Sequence, residues 1–209
     1  KSTLVKLLLR LYDVSGGDIL INGKIIKDYT LCSYRNKFGT VFQDFQLYAA
    51  DIAENVLTDE YSEGDQPRVL EALKNSGFEE RLSSLNEGIH TPLTKEFDQS
   101  GINLSGGEAQ RVVLAIAMCA TARLIVADEA TRGIDKETSE AFWACMDKDF
   151  ADTALIIVTH DMTVAKKCDY VLVLKDGCVQ EYGKTCEVFS NPKSEYAKSL
   201  ISACEVSYA

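Results

Sequence analysis

Three short stretches carry residue types suited to handling a phosphate and a water molecule. The first, Leu104-Ser105-Gly106-Gly107-Glu108-Ala109-Gln110-Arg111, reads as the start of a helix facing an anion. Ser105 is a capping residue type, and the glycines let a ligand come close to the backbone. The helix N-terminus itself presents N–H groups with no partner inside the helix. The second, Leu124-Ile125-Val126-Ala127-Asp128-Glu129, is an apolar run ending in adjacent carboxylates. That is the pattern of a buried strand delivering acids to a sheet edge. The third, Ala154-Leu155-Ile156-Ile157-Val158, reads as another fully buried strand and ends in Thr159-His160-Asp161. Strands ending in polar groups at one sheet edge put ligand chemistry where open α/β sheets bind ligands.

In that order and proximity, the first two stretches resemble the signature and Walker B motifs of the ATP-binding cassette (ABC) ATPases. The resemblance covers essentially the whole chain and is closest to the exporter-type nucleotide-binding domain. It begins inside Walker A: Lys1-Ser2-Thr3, ahead of an apolar stripe at Leu4, Leu7, Leu8 and Leu11, matches the end of a G-x-x-x-x-G-K-[ST] loop. The resemblance implies ATP and Mg²⁺ as cofactors. It implies that Lys1 reaches the β- and γ-phosphates, that Ser2 and Thr3 belong to the nucleotide site, and that Ser2 and Asp128 hold Mg²⁺. Glu129 is then the general base that polarises the attacking water, and His160 the γ-phosphate switch residue. Gln43, in Val41-Phe42-Gln43-Asp44, matches the Q-loop glutamine, which touches Mg²⁺ and that water. Ser105, Gly106, Gly107 and Glu108 would bind the γ-phosphate of ATP held by a second cassette.

Local readings stand beside these. Ser105-x-x-Glu108 fits a capping box, which turns the glutamate back onto its own helix and away from a phosphate. Asp135 either occupies the D-loop aspartate position at the nucleotide or simply N-caps the helix that follows, and Asp161 reads as a cap. The chain departs from the family pattern at several points. Glu108 stands where Gln is usual, Arg132-Gly133 alters the D-loop, Cys186 replaces a common His, and Glu96 is the nearest analogue of a coupling glutamate.

Composition narrows the classes. The chain has 209 residues, 46% hydrophobic, enough for a real core. It carries 32 acidic against 22 basic residues, a net charge of -10, which disfavours a nucleic-acid partner. Seven cysteines without a C-x-x-C pair suit a reducing compartment better than a disulfide framework or a zinc site. No apolar run approaches the roughly 18 residues of a membrane span.

The elements that must position these residues follow. Asn22-Gly23 and Asp176-Gly177 each join β-rich runs as hairpins. Phe38–Phe42 reads as a strand, 67–85 as an amphipathic helical stretch with Val69, Leu70, Leu73 and Phe78, and 112–118 as a core helix. The expected fold is α/β: a P-loop NTPase (RecA-like), mostly parallel sheet with an antiparallel hairpin element and an inserted helical subdomain. Residues 1–50 form an incomplete catalytic lobe, 51–119 the helical subdomain with the signature, and 120–209 the rest of the catalytic lobe and a C-terminal helix. In the family, the strand before the P-loop lies beside the one ending at His160. Without it, two internal strand edges are expected to be unpaired, making the isolated chain marginally stable. Without the glycine loop, residues 1–209 alone are expected to bind ATP weakly or not at all.

The resemblance implies an ATP-hydrolysing domain that powers export. Its partners would be a second nucleotide-binding domain, in a homo- or heterodimer, and a transmembrane domain upstream on the same polypeptide. Its place would be the cytoplasmic face of a membrane. The alternatives are a cassette of a soluble, non-transport ABC ATPase of the tandem translation-factor type, or a fragment inactive on its own.

Overall fold

The computed structural model describes residues 1–42, 45–95, 99–120, 122–131, 133–149 and 152–206. Gln43, Glu96 and Arg132 lie outside the described residues.

The chain opens with α1 (Ser2–Leu8), a hairpin of β1 (Leu20–Ile21) and β2 (Lys24–Ile25), and the short α2 (Leu31–Arg35). Asn22 and Gly23 both take positive φ, 52° and 77°, as a tight hairpin turn requires. β3 (Phe38–Val41) follows, then α3 (Ile52–Leu57), α4 (Gln66–Asn75), α5 (Glu79–Ser83) and α6 (Gly106–Cys119). β4 (Leu124–Asp128), α7 (Lys136–Asp149), β5 (Ala154–Val158) and α8 (Met162–Ala165) lead to an antiparallel pair, β6 (Tyr170–Lys175) and β7 (Cys178–Lys184). α9 (Thr185–Ser190) and α10 (Glu195–Val206) close the described chain.

β3, β4 and β5 form a parallel sheet with β4 in the centre. Side chains alternate across a strand, and β4 shows it. Leu124 and Val126 pack with Val5 of α1 and Leu9 just after it, while Ile125 and Ala127 face Val113, Leu114 and Ala117 of α6 and Phe142, Trp143 and Met146 of α7. The same period puts Asp128 on the α1 side. At Gly39 of β3 an added Cβ would stand 3.0 Å from the Ala120 Cβ, so only glycine permits the close seating of the chain after α6.

α6 is apolar on almost every side and is buried between two partners. Its Val112, Ala115 and Cys119 join a separate core with Ile52, Val56, Val69, Leu73 and Phe78. The amphipathic stretch 67–85 is not one helix: Gly77, at φ 76°, ends α4 and turns the chain into α5. A left-handed residue that costs glycine little breaks the helical period there. Phe78, fully buried, pins the corner.

β5 also differs from expectation. It is not fully buried: Ala154 and Ile156 are exposed, with Leu155 and Ile157 turned inward between them. The reason is its place in the sheet. Among the described residues β5 pairs only with β4, and β6 only with β7. A cavity of about 880 Å³ lies between them, lined by Ile156, Val158, Val171, Leu172, Leu174 and Leu200 among others. The two unpaired edges expected from the sequence are therefore present in this structure.

Candidate functional site

The carboxylates of β4 emerge at the C-terminal ends of the parallel strands. Asp128 is 6% exposed and presents hard oxygen donors on the face against which α1 packs, the helix that begins at Ser2. Burying a carboxylate is costly unless a cation or donors compensate, so this position suits a hard cation. Glu129 leaves the strand in the left-handed region at φ 50°, uncommon for a residue with a side chain. Its N–H still donates to the Val158 carbonyl at 2.8 Å, holding the turn against β5. The turn brings Glu129 Oε1 to 3.1 Å from His160 Nδ1, beyond the end of the neighbouring strand. A hydrogen bond from imidazole to carboxylate needs the hydrogen on Nδ1, which fixes how the ring faces outward. His160 is mostly exposed and Glu129 mostly shielded, and such a pair adds little to stability. Backbone strain kept at such a point is characteristic of functional sites.

Lys1 reaches the same edge, its Nζ donating to the Thr159 carbonyl at 3.1 Å. Lys1, Asp128, Glu129 and His160 thus share one end of the sheet, with Ser2 and Thr3 exposed at the start of α1. Asp161 accepts from the Thr163 N–H at 2.8 Å and caps α8.

A second group surrounds the start of α6. Ser105 and Glu108 form the capping box: Ser105 N–H donates to Glu108 Oε2 at 2.7 Å, and Glu108 N–H donates to Ser105 Oγ at 3.4 Å. The backbone hydrogen bond from Ser105, then its side chain, hold the Glu108 carboxyl below the usual range. Gly106 and Gly107 form the first turn, and an added Cβ at either would meet open space. Their lack of side chains leaves this helix end open to an approaching group. Asp135 accepts from the Thr138 N–H and hydroxyl, each at 2.8 Å, and meets Arg111 Nη2 at 2.9 Å. It therefore caps α7 and ties it to α6. Those contacts, the Thr138 N–H first, pull its pKa down to about 2.

Gln110 links the two groups. Though buried, it donates from Nε2 to the Ala130 carbonyl, just past the β4 acids. No motif or period in the sequence assigns a contact to Gln110, Arg111 or Arg81. The available signals were a polar side chain at the head of an apolar helix, and Arg111 one turn beyond Glu108.

Among the described residues no three His, Cys, Asp or Glu side chains gather into a metal cage. Mg²⁺ needs none, since it is commonly held by one or two carboxylates, substrate phosphates and water. The buried Asp128, and the Ser2 hydroxyl at the start of the helix packed on that face of the sheet, are donors of the kind that set needs.

Residues 1–132 match the family described as ABC transporter. The chain is 35% identical over 184 residues to human ATP-binding cassette sub-family B member 6, covering 88% of this chain and 21% of that protein. It is 32% identical over 191 residues to the ATP-dependent lipid A-core flippase of Vibrio vulnificus (strain YJ016), covering 90% of this chain and 32% of the flippase. The chain thus spans a third or less of these relatives' lengths. A bacterial Atm1-family ABC exporter solved with ATP bound superposes at a TM-score of 0.85 with 28% identity, over 97% of this chain and 34% of the exporter. With the sheet-edge acids, the glycine-led helix and the α/β P-loop NTPase fold in place, the chain belongs to the ABC transporter family, as an ATPase domain of the exporter type.

Proposed function

We propose that this domain binds MgATP and hydrolyses it to drive export through a transmembrane domain on the same polypeptide. The observation that carries the reading is the Glu129–His160 pair, held at 3.1 Å where two parallel strands end, with Glu129 at φ 50°. Glu129 takes the role of general base, polarising a water toward the γ-phosphorus. His160 keeps that carboxylate in place and faces the γ-phosphate. Asp128 and Ser2 would hold Mg²⁺, which supplies charge stabilisation to the transferring phosphoryl group, and Gln43 would complete that shell. Lys1, with Thr3 beside it, serves the phosphates.

Ser105, Gly106 and Gly107 have their open helix end for the nucleotide of a second cassette, in a head-to-tail pair about a two-fold axis. Asp135 belongs to the contact between the two sites, acting through Arg111 and Thr138. Residues 1–50 and 120–209 form the catalytic lobe, and 51–119 the helical subdomain. The separate core built from α3, α4, α5 and α6 supports that division. Among the described residues no helix is long and apolar enough to cross a membrane. The domain works at the cytoplasmic face, on spans supplied by the rest of the protein.

The test is phosphate release from MgATP by the intact protein in liposomes. Asp128→Asn and Ser105→Arg should each lower the rate by about a hundredfold or more. A rate untouched by Asp128→Asn would refute the reading.

A further inference from the structure

A carboxylate at position 108 creates a problem that the structure resolves. Glu108 sits in the first turn of α6, beside the glycines, at a helix end whose proposed work is to meet a phosphate. An acid there counters the positive end of the helix. Its two oxygens are separately engaged. Oε2 takes the Ser105 N–H, and Oε1 lies 2.9 Å from Arg81 Nε. The alignment of that nitrogen falls short of a hydrogen bond, so the contact is an ion pair between partly shielded groups.

Arg81 is itself held in place. Its Nη1 donates to Ser84 Oγ at 3.1 Å, and the Ser84 hydroxyl donates back to the Arg81 carbonyl at 2.6 Å. The helix that carries it, α5, follows directly on the buried Phe78. The other nearby cation, Arg111, is engaged by Asp135 at 2.9 Å. Arg111 also acts on Glu108 through space, less than Arg81 does, but its direct ion pair is with Asp135.

We propose that Arg81 is a positioning residue for the signature helix. It neutralises Glu108 and draws its carboxylate back from Gly106-Gly107, so that this acidic variant of the motif still meets the γ-phosphate of the opposing nucleotide. The inference rests on the proposed role of Ser105 and Gly107 in that contact. Arg81 acts through Glu108 and touches no nucleotide.

The experiment is a double-mutant cycle on the intact protein, reading MgATP hydrolysis against ATP concentration for Arg81→Ala, Glu108→Gln and the pair. Arg81→Ala should raise the half-saturating ATP concentration about fivefold, the scale of one charge at a helix end. Adding Glu108→Gln should restore it to within about twofold, since a neutral amide needs no counter-charge. Arg81→Lys should keep most of the wild-type behaviour. Should Arg81→Ala fail to fold, Arg81→Gln preserves the length and carries the same expectation. No change in half-saturation on removing Arg81, or a double variant as impaired as the single one, overturns the proposal, because a purely structural arginine would not be rescued by neutralising its partner. Ser105→Arg separates the two levels. If hydrolysis survives that change, the signature reading itself falls. If hydrolysis is lost there but Arg81 shows no rescue, only the present inference falls.

Discussion

Charged residues in this domain come as assigned pairs: Glu129 with His160, Glu108 with Arg81, Asp135 with Arg111. Asp135 offers the clearest pH signature. Its pKa falls from 3.8 to about 2, chiefly through the Thr138 N–H. A carboxylate whose pKa is depressed on folding stabilises the native state above its unfolded value, and that contribution fades as pH falls toward the folded one. Asp135→Ala should therefore unfold at lower urea than wild type from pH 7 down to about pH 4. The gap should then close toward about pH 2. A gap that widens on acidification would contradict the capping role. At this scale the sequence was readily legible where a rule is local. The Ser105–Glu108 capping box and the Asp161 cap follow from spacing along one helix, and both are present. The Arg81–Glu108 and Gln110–Ala130 contacts join segments far apart in the chain, and no local period encodes them.

Among the elements, α6 has the central place. One face closes the core of α3, α4 and α5 while the other covers the sheet, and Gln110 ties its first turns to the residue just past the β4 acids. Periodicity found α6, the Asn22-Gly23 hairpin and the strands. It marked the helical stretch 67–85 but not the break within it, where one left-handed glycine divides α4 from α5. It also overstated β5, because an apolar strand reads as buried on both faces whether or not a neighbour lies beside it. The unpaired edges of β5 and β6 leave Ile156 at 37% and Leu172 at 44% exposure. Exposed, apolar strand edges invite pairing between chains. The 209-residue chain should consequently self-associate and unfold without a sharp, high-temperature transition. Ile156→Lys or Leu172→Lys, each placing a charge in the cavity, should reduce that association in sedimentation at equal concentration. Undiminished association in both variants would show that another surface drives it.

At the scale of the whole molecule, the proposed function makes this chain one half of an ATP-driven clamp. One copy brings the carboxylates at its sheet edge, and the other brings the glycine-led start of α6. In that proposed pair, nucleotide held between the copies would act as a ligand of the closed form and favour it by mass action. That function turns on Glu129 activating the water. The direct measurement compares steady MgATP hydrolysis by the intact protein and by its Glu129→Gln variant, with bound nucleotide assayed in both. Turnover should fall by about a hundredfold or more while ATP stays bound. Turnover by Glu129→Gln at the wild-type rate would contradict that role.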